Sequence, residues 1–353
     1  MKFGLIGTGG IGRVRAKAFG NTEGCELVAV ADTDQERARA VLPSPSTMLF
    51  ADYRKMLAHD EVEAVVISTP PQFHEEIAIA AMESGKHVLC EKPLANSLDA
   101  CRRMVEASRR TGKTLATGFN HRYFPAVQFV KQTLDSGLIG ELDHVRAFAG
   151  HTGLAEFSQS WMCDKQIIGG GALMDNGIHI IDLTRYLLGE VVEVFGFATN
   201  DVWKLGHSED NGCAIMRNPQ GKHATLQATW TEWKGYRFYV EAYGSKGMAK
   251  AWYAPMFSMA VFMDEPGAPR RRKFNFYPGH IVQEKLFGWQ LTTEQSFRHE
   301  FADFASLCAG QPSAIGQSQR IADGFAGFRA VEIANAVYCS SETREAIRLT
   351  EPF

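Results

Sequence analysis

Residues 2–19, KFGLIGTGGIGRVRAKAF, and residues 26–32, ELVAVAD, decide how the fold is read. A short apolar run enters a glycine-rich turn, a helix follows, and a second apolar run ends on an acid. In that setting the GxGxxG spacing has a physical meaning. Gly7 makes the tight turn, Gly9 lets a pyrophosphate approach the backbone, and Gly12 lets the helix pack closely on the strand. The turn running from Gly7 through Thr8, Gly9, Gly10 and Ile11 to Gly12 is therefore expected to hold dinucleotide phosphates at the helix N-terminus, where unpaired N–H groups favour an anion. Asp32 lies twenty residues beyond Gly12, placed to accept hydrogen bonds from the adenosine ribose. Its charge repels a 2′-phosphate, so NAD is expected over NADP. Arg37 is near enough in sequence to keep NADP possible.

The same alternation continues. A helix capped by Asp52 leads to the strand VEAVVIST, and the helix FHEEIAIAAMESGK leads to HVLCEKP; the helix SLDACRRMVEASRR then leads to TLATGFN. Apolar strands separated by helices of this length describe a parallel, doubly wound sheet whose ligand crevice lies at the carboxyl ends of its strands. Thr69, Pro70, His74, Glu91, Lys92 and Asn120 all fall at such ends and are expected at the cofactor. The expected dinucleotide domain is therefore residues 1–121. From residue 122 to 353 the pattern changes to a second α/β domain with a large, mostly antiparallel open sheet. Its strand-like runs are LDHVRAFAG, VVEVFGFATN, NGCAIMR, KHATLQATWTEW, YRFYVEAYG and GMAKAWY, separated by Gly, Asn and Pro turns. Their aromatic residues read as packing, and a broad exposed sheet face suits a homo-oligomer. Two helices close the chain, from about Thr293 to Ala309 and from about Ser318 to Ser340.

Within the second domain, GGGALMDNGIHIIDLTRYLLG at Gly169 to Gly189 carries the densest chemistry. Leu173, Ile178, Ile181, Leu183, Tyr186 and Leu187 recur mostly at three and four, so the stretch reads as a helix with one face inward and Gly189 as its C-terminal stop. Asp175 and His179 are then one turn apart on one side, where a carboxylate can orient an imidazole and balance its charge. A core histidine with a hydrogen bond is the plainer alternative.

Length, composition and charge set the outer limits. The chain has 353 residues, 45% of them hydrophobic, and a formal net charge of −3 with 22% charged residues. It can bury a substantial core in two domains. Nothing in the charge balance favours nucleic acid or an anionic membrane. Arg270, Arg271, Arg272 and Lys273 read as a solvated turn. Seven cysteines show no CxxC and no metal-ligand spacing, so no metal is expected and the thiols read as those of a cytoplasmic protein. The N-terminus is expected to enter a strand at once, with no signal peptide, and no apolar run approaches the ~20 residues of a membrane span.

With EKP at Glu91 to Pro93 the chain resembles the Gfo/Idh/MocA oxidoreductases, over nearly its whole length. The resemblance rests on GTGGIG at Gly7 to Gly12, STPPQFH at Ser68 to His74, GKHVLCEKP at Gly85 to Pro93 and GFNHR at Gly118 to Arg122. It rests further on SGLIGE at Ser136 to Glu141 and GGGALMDNGIHIID at Gly169 to Asp182. It implies a Rossmann domain followed by an α/β domain, with Lys92 as catalytic lysine, Asp175 as a substrate-binding or His-orienting carboxylate and His179 as the proton-transferring residue. Arg122 and Trp161 are expected with Asp175 and His179 at the substrate, and His121 as a pocket-lining residue. Where sugar-oxidising relatives have Arg after the loop Trp, this chain has Met162, so a bidentate donor is missing there; Asp164 keeps the acidic position that follows. The function implied is hydride transfer between a secondary alcohol of a cyclic polyol or sugar and nicotinamide. Two alternatives stay open. One is a lyase or glycosidase that recycles its cofactor through a transient ketone, and the other is a regulator that senses a sugar or dinucleotide.

Overall fold

A computed structural model of the protein describes residues 1–153, 161–311 and 320–349. The apolar runs of the first half form β1 (Lys2–Ile6), β2 (Glu26–Ala31), β3 (Met48–Phe50), β4 (Ala64–Ile67), β5 (His87–Glu91) and β6 (Leu115–Gly118). They pair in parallel in the order β6-β5-β4-β1-β2-β3, and the short strand Ala322–Asp323 adds antiparallel to β6. Ala64 to Ile67 and Val88 to Cys90 are fully buried, the unbroken apolar run expected of strands covered on both faces. The order reverses between β1 and β4, so the ligand crevice of this sheet falls beyond their carboxyl ends, at the glycine turn.

The first compact unit comprises Met1–Tyr123 together with Glu284–Arg329. The break after Tyr123 falls near the expected division at 121/122. The return of residues 284–329 to this unit departs from that division, and its cause is apolar. The helix Gln290–Cys308 carries Phe297, Phe301 and Phe304 into the core of the parallel sheet with Phe3 and Phe19, and Phe301 stacks on Phe19 at 4.1 Å between ring centroids. This helix begins three residues before the expected Thr293. The last helix is Gly324–Thr343; its expected start at Ser318 lies outside the described residues.

The second unit comprises Phe124–Gln283 and Ala330–Phe353. Its strands are β7 (Leu142–Gly150), β8 (Glu193–Thr199), β9 (Asn211–Arg217), β10 (His223–Thr229), β11 (Arg237–Gly244), β12 (Gly247–Tyr253), β13 (Phe257–Phe262) and β14 (Arg271–Phe276). The sheet runs β14-β13-β12-β11-β7-β10-β9-β8, with Ile347–Arg348 at the end. All described pairings are antiparallel except β7 with β10. The helix Gly177–Leu188 packs on β7, β10 and β11, and Pro125–Asp135 packs on β12 and β13. Arg271 to Lys273, expected in a turn, belong instead to β14. They pair with Phe262, Val261 and Ala260, and their exposed positions suit the charged edge by which a sheet avoids further pairing. Among the described residues no helix is long and apolar enough to cross a membrane.

Candidate active site

In the first unit the glycine turn leaves room on one side and none on the other. Gly7 has φ +91°, and a Cβ there would meet the Ser68 carbonyl at 2.8 Å. A Cβ on Gly12 would lie 2.1 Å from the Gly7 oxygen, so only glycine lets the helix Gly10–Phe19 start against the turn. Gly9 and Gly10 face open space within 4 Å, and no side chain caps the helix N-terminus. Its first-turn N–H groups are therefore suited to phosphate, which is the fit a dinucleotide requires. Ile11 is half-buried beside them. Thr8 donates to Asp32 Oδ2 from its backbone N–H and from Oγ1, each at 2.7 Å. Asp32 Oδ1 accepts from Asp34 N–H at 2.9 Å and from Arg37 Nη2 at 3.1 Å. Burial pushes the Asp32 carboxyl up, but the hydrogen bonds from Asp34, Thr8 and Arg37 outweigh it and hold the group below its ordinary value.

The other expected cofactor residues divide into those that line the crevice and those that brace it. Thr69 and Pro70 are half-buried at the end of β4. His74 is fully buried: Nε2 lies 2.8 Å from the Thr69 oxygen, and Nδ1 lies 3.0 Å from Pro93 O and 3.2 Å from Leu94 O. It ties the β4 and β5 loops from behind and does not line them. Glu91, expected at the cofactor, is likewise tied into the fold. Its Oε1 pairs with Arg15 Nε, and Arg15 Nη1 reaches Glu300 Oε2 at 2.9 Å. The Arg15 guanidinium is fully buried and lies 4.0 Å over the Phe297 ring. Gly118 gives it space, since a Cβ there would come within 2.6 Å of Arg15 Nη2. Glu91 Oε2 meanwhile accepts the Lys92 N–H at 3.2 Å, so this network sets the backbone of the half-buried lysine.

β6 lies parallel to β5 with Gly118 opposite Glu91, which brings the turn Asn120–Tyr123 to the same end. Asn120 donates to Ser296 Oγ at 2.9 Å. Arg122, expected at the substrate, is buried and donates to the Arg320 carbonyl at 3.4 Å. His121 is buried, and burial together with the Lys92 charge pushes its pKa down to about 3, so its ring is neutral.

In the second unit the expected helix over Gly169 to Gly189 is shorter, running Gly177–Leu188 with Gly189 at its C-cap. The preceding glycines are held in turns by close contacts that no side chain would allow. A Cβ on Gly170 would lie 2.0 Å from Tyr338 Oη, and one on Gly171 2.0 Å from the Glu209 oxygen. Glu209 accepts from Leu173 N–H at 2.8 Å and Tyr338 Oη at 2.9 Å, and burial pushes its carboxyl up to about 7. Asp175 N–H bonds the Gly171 oxygen at 2.9 Å and Gly177 N–H the Ala172 oxygen at 2.8 Å, so the chain turns ahead of the helix, with Asp175 two residues before its start and four before His179.

Among the partners of the Asp175 carboxylate are two residues that the sequence did not single out for the site. Its Oδ2 accepts from Trp230 Nε1 at 3.2 Å and lies 3.5 Å from His151 Nε2. β7 and β10 are parallel with Gly150 opposite Thr229, and His151 N–H bonds the Thr229 oxygen at 3.1 Å. The residues just past the two strand ends, His151 and Trp230, thus emerge side by side. Position one residue beyond a strand's carboxyl end was the available signal, and Trp230 was hidden among aromatics that do pack. Tyr236 stacks near His151 at 6.5 Å, and Trp161 is 45% exposed in the turn Trp161–Cys163. Asp164 caps the helix Lys165–Ile168 by accepting from Gln166 N–H at 2.8 Å.

Lys92 thus belongs to the first unit and Asp175 with His179 to the second. The family model described as an oxidoreductase family with an NAD-binding Rossmann fold matches residues 1–119, and the GFO/IDH/MocA C-terminal domain matches residues 127–250. The chain is 32% identical to inositol 2-dehydrogenase of Rubrobacter xylanophilus over 81% of each protein. It resembles the crystal structure of an oxidoreductase domain protein from Kribbella flavida with a TM-score of 0.83 at 26% identity, covering 99% of each chain. Levoglucosan dehydrogenase in complex with NADH and L-sorbose shares the fold, with a TM-score of 0.84 at 24% identity over 100% of this chain and 99% of that one. The protein is an NAD-binding oxidoreductase and belongs to the GFO/IDH/MocA family.

Proposed function

We propose that the protein is an NAD-dependent dehydrogenase of a cyclic polyol or sugar, oxidising a secondary alcohol to a ketone. The observation that carries this reading is the Asp175 carboxylate, held by Trp230 and His151 just ahead of the helix that carries His179. Bound NAD supplies the hydride acceptor. Lys92 donates to the reacting oxygen and stabilises the negative charge that develops on it, and His179 takes the hydroxyl proton. Asp175 balances the imidazolium that results. Trp161 serves substrate binding, offering an exposed ring face. We assign dinucleotide binding to the unit containing Met1–Tyr123 and substrate binding to the other. Relatives named inositol 2-dehydrogenase support the substrate class.

Preference for NAD over NADP is supported by Asp32, which is held ionised, and by Arg37, whose guanidinium is spent on Asp32. We also infer a homo-oligomer. Phe148, Tyr239, Trp252, Phe257 and Phe276 form one cross-strand aromatic row on the sheet face away from the helices. Phe197, Ile215, Phe274 and Phe276 are at least half exposed on that face. Light scattering on the purified protein tests this. A cytoplasmic setting suits the seven cysteine thiols, four of them buried.

The function is tested by following NADH with myo-inositol, levoglucosan and methyl glucoside under NAD or NADP. Stoichiometric NADH with NAD favoured supports the reading. Product formation with no NADH points to cofactor recycling, and no turnover with any of them removes the dehydrogenase assignment.

A further inference from the structure

Asn176 stands between Asp175 and the helix Gly177–Leu188, where an Asn ordinarily caps the first N–H groups. It does not cap them: its backbone is helical, with φ −80° and ψ −28°, and its side chain makes no capping hydrogen bond. The residue is 6% exposed, and neither Oδ1 nor Nδ2 has a hydrogen-bond partner among the described residues. An amide buried with both of its polar atoms unpaired is costly, and native proteins keep such groups where something else completes them. Met174 and Asp175 both donate to the Gly171 oxygen, at 3.0 and 2.9 Å, so the chain is already wound before the helix begins. Asn176 and His179, three apart, therefore fall on one side of the winding, and Asp175 is the residue just before Asn176. An uncapped, unpaired amide consequently follows the carboxylate in sequence and stands three residues before the imidazole to which the reaction was assigned.

We propose that Asn176 is a specificity-determining residue that reads a vicinal diol of the substrate, an inference that rests on the dehydrogenase reading above. A carboxamide presents a donor and an acceptor side by side, which matches two hydroxyls on neighbouring carbons. Nδ2 donates to one hydroxyl oxygen and Oδ1 accepts from the other, one of the two being carried by the carbon next to the one oxidised. A lone ketone or a simple secondary alcohol satisfies only one of the two atoms. The residue thus selects polyhydroxylated rings and sets which carbinol faces His179.

Asn176→Leu keeps the size and removes both polar atoms. In the ligand-free protein its melting temperature should rise, because an unsatisfied buried amide is gone. With whichever of myo-inositol, levoglucosan and methyl glucoside the wild type turns over fastest, kcat/KM should fall by about a hundredfold, mainly through KM, while the Kd for NAD stays put. The monodeoxy analogue lacking the hydroxyl beside the oxidised carbon should cost the wild type about a hundredfold, whereas Asn176→Leu should treat analogue and parent alike. A lowered melting temperature would make Asn176 structural and overturn the assignment. So would a weakened Kd for NAD with unchanged polyol KM, which would give the amide to the cofactor. A wild type that turns over a polyol and a variant that matches it overturn this assignment alone; a wild type that oxidises none of the three overturns the dehydrogenase reading and this inference with it.

Discussion

Glu91 and Asp175 each stand close in sequence to a residue assigned to the chemistry, and the protein holds them in opposite ways. Glu91 is clamped by a fully buried guanidinium that also serves Glu300, packed against Phe297. Asp175 is held by an indole N–H and approached by an imidazole, with its side chain 16% exposed. The first arrangement spends the carboxylate's charge inside the fold, so that Glu91 can fix the Lys92 backbone but offers little to a ligand. The second fixes the carboxylate's direction with a neutral indole donor and sets the His151 ring 3.5 Å from it. In the proposed function the first carboxylate builds the site and the second works in it, and their described partners differ accordingly.

The largest effect should come from breaking the clamp. Arg15→Met leaves two buried carboxylates without their cation, and removing one partner of a buried ion network costs about 3–5 kcal/mol. Urea unfolding of the two proteins measures it. A loss under 1 kcal/mol would mean that the carboxylates protonate at little cost, and the contrast with Asp175 would then fail.

Next in size are the groups that the two carboxylates serve. Lys92→Ala and His179→Ala should each cut kcat by about a hundredfold or more, the loss expected for a positioned electrostatic or acid–base group. NAD affinity should stay near that of wild type. Inactivity traced to lost NAD binding or to unfolding would remove the residue from the catalytic set.

The parallel sheet was legible because its cause is local. Unbroken apolar runs such as Ala64 to Ile67, the glycine spacing and the acid at 32 all act within about thirty residues of one another. The return of Phe297, Phe301 and Phe304 to that sheet was not legible, since an apolar helix face does not announce which of two cores it will enter. Lys92, Asp175 and His179 were recognisable as candidates by residue type and motif. Arg15, Trp230 and His151 were not, because their roles come from pairing across strands and helices: Arg15 looks like one more surface cation of an amphipathic helix until Gly118 and Glu300 are seen to make room and charge for it. The partners of Glu91 and His74 were hidden in the same way, since a sequence position at a strand end says nothing of which way a side chain turns.

A smaller effect separates the donor from its surroundings. Trp230→Phe removes the Nε1–H that Asp175 accepts, and kcat should fall by about tenfold, within the value of a hydrogen bond to a charged group. Trp203 donates its Nε1–H to the Trp230 carbonyl and its backbone N–H to Asp210 Oδ2, each at 2.8 Å. Trp203→Phe should therefore lower the melting temperature with kcat kept. Equal losses of kcat in both variants would show that packing, and not the donor, sets the rate.

The smallest effect is a slope of stability against pH. Glu300 faces Arg15, with Glu91 and Asp303 contributing negative charge nearby, and burial first, then those charges, push its carboxyl up to about 7 against the pull of Arg15. A carboxyl whose pKa is raised on folding favours the protonated form in the folded state. Its contribution to stability is fully present below the ordinary carboxylate pKa and is lost as pH rises through about 7. Wild type should thus lose melting temperature between pH 5 and pH 8, in part through this group and in part through Glu209, whose carboxyl is raised to about 7 by burial in the other unit. Glu300→Gln is neutral at every pH and keeps the shape, so its melting curve should match wild type near pH 5 and lie a few degrees above it at pH 8, with the Glu209 share of the slope remaining. Were Glu300 instead ionised throughout and paired with Arg15, the Gln variant would be less stable at both pH values by a similar amount. That result would make the clamp a closed pair of charges on one guanidinium and would leave Glu91 with less than a full counter-charge, which is the point on which its difference from Asp175 rests.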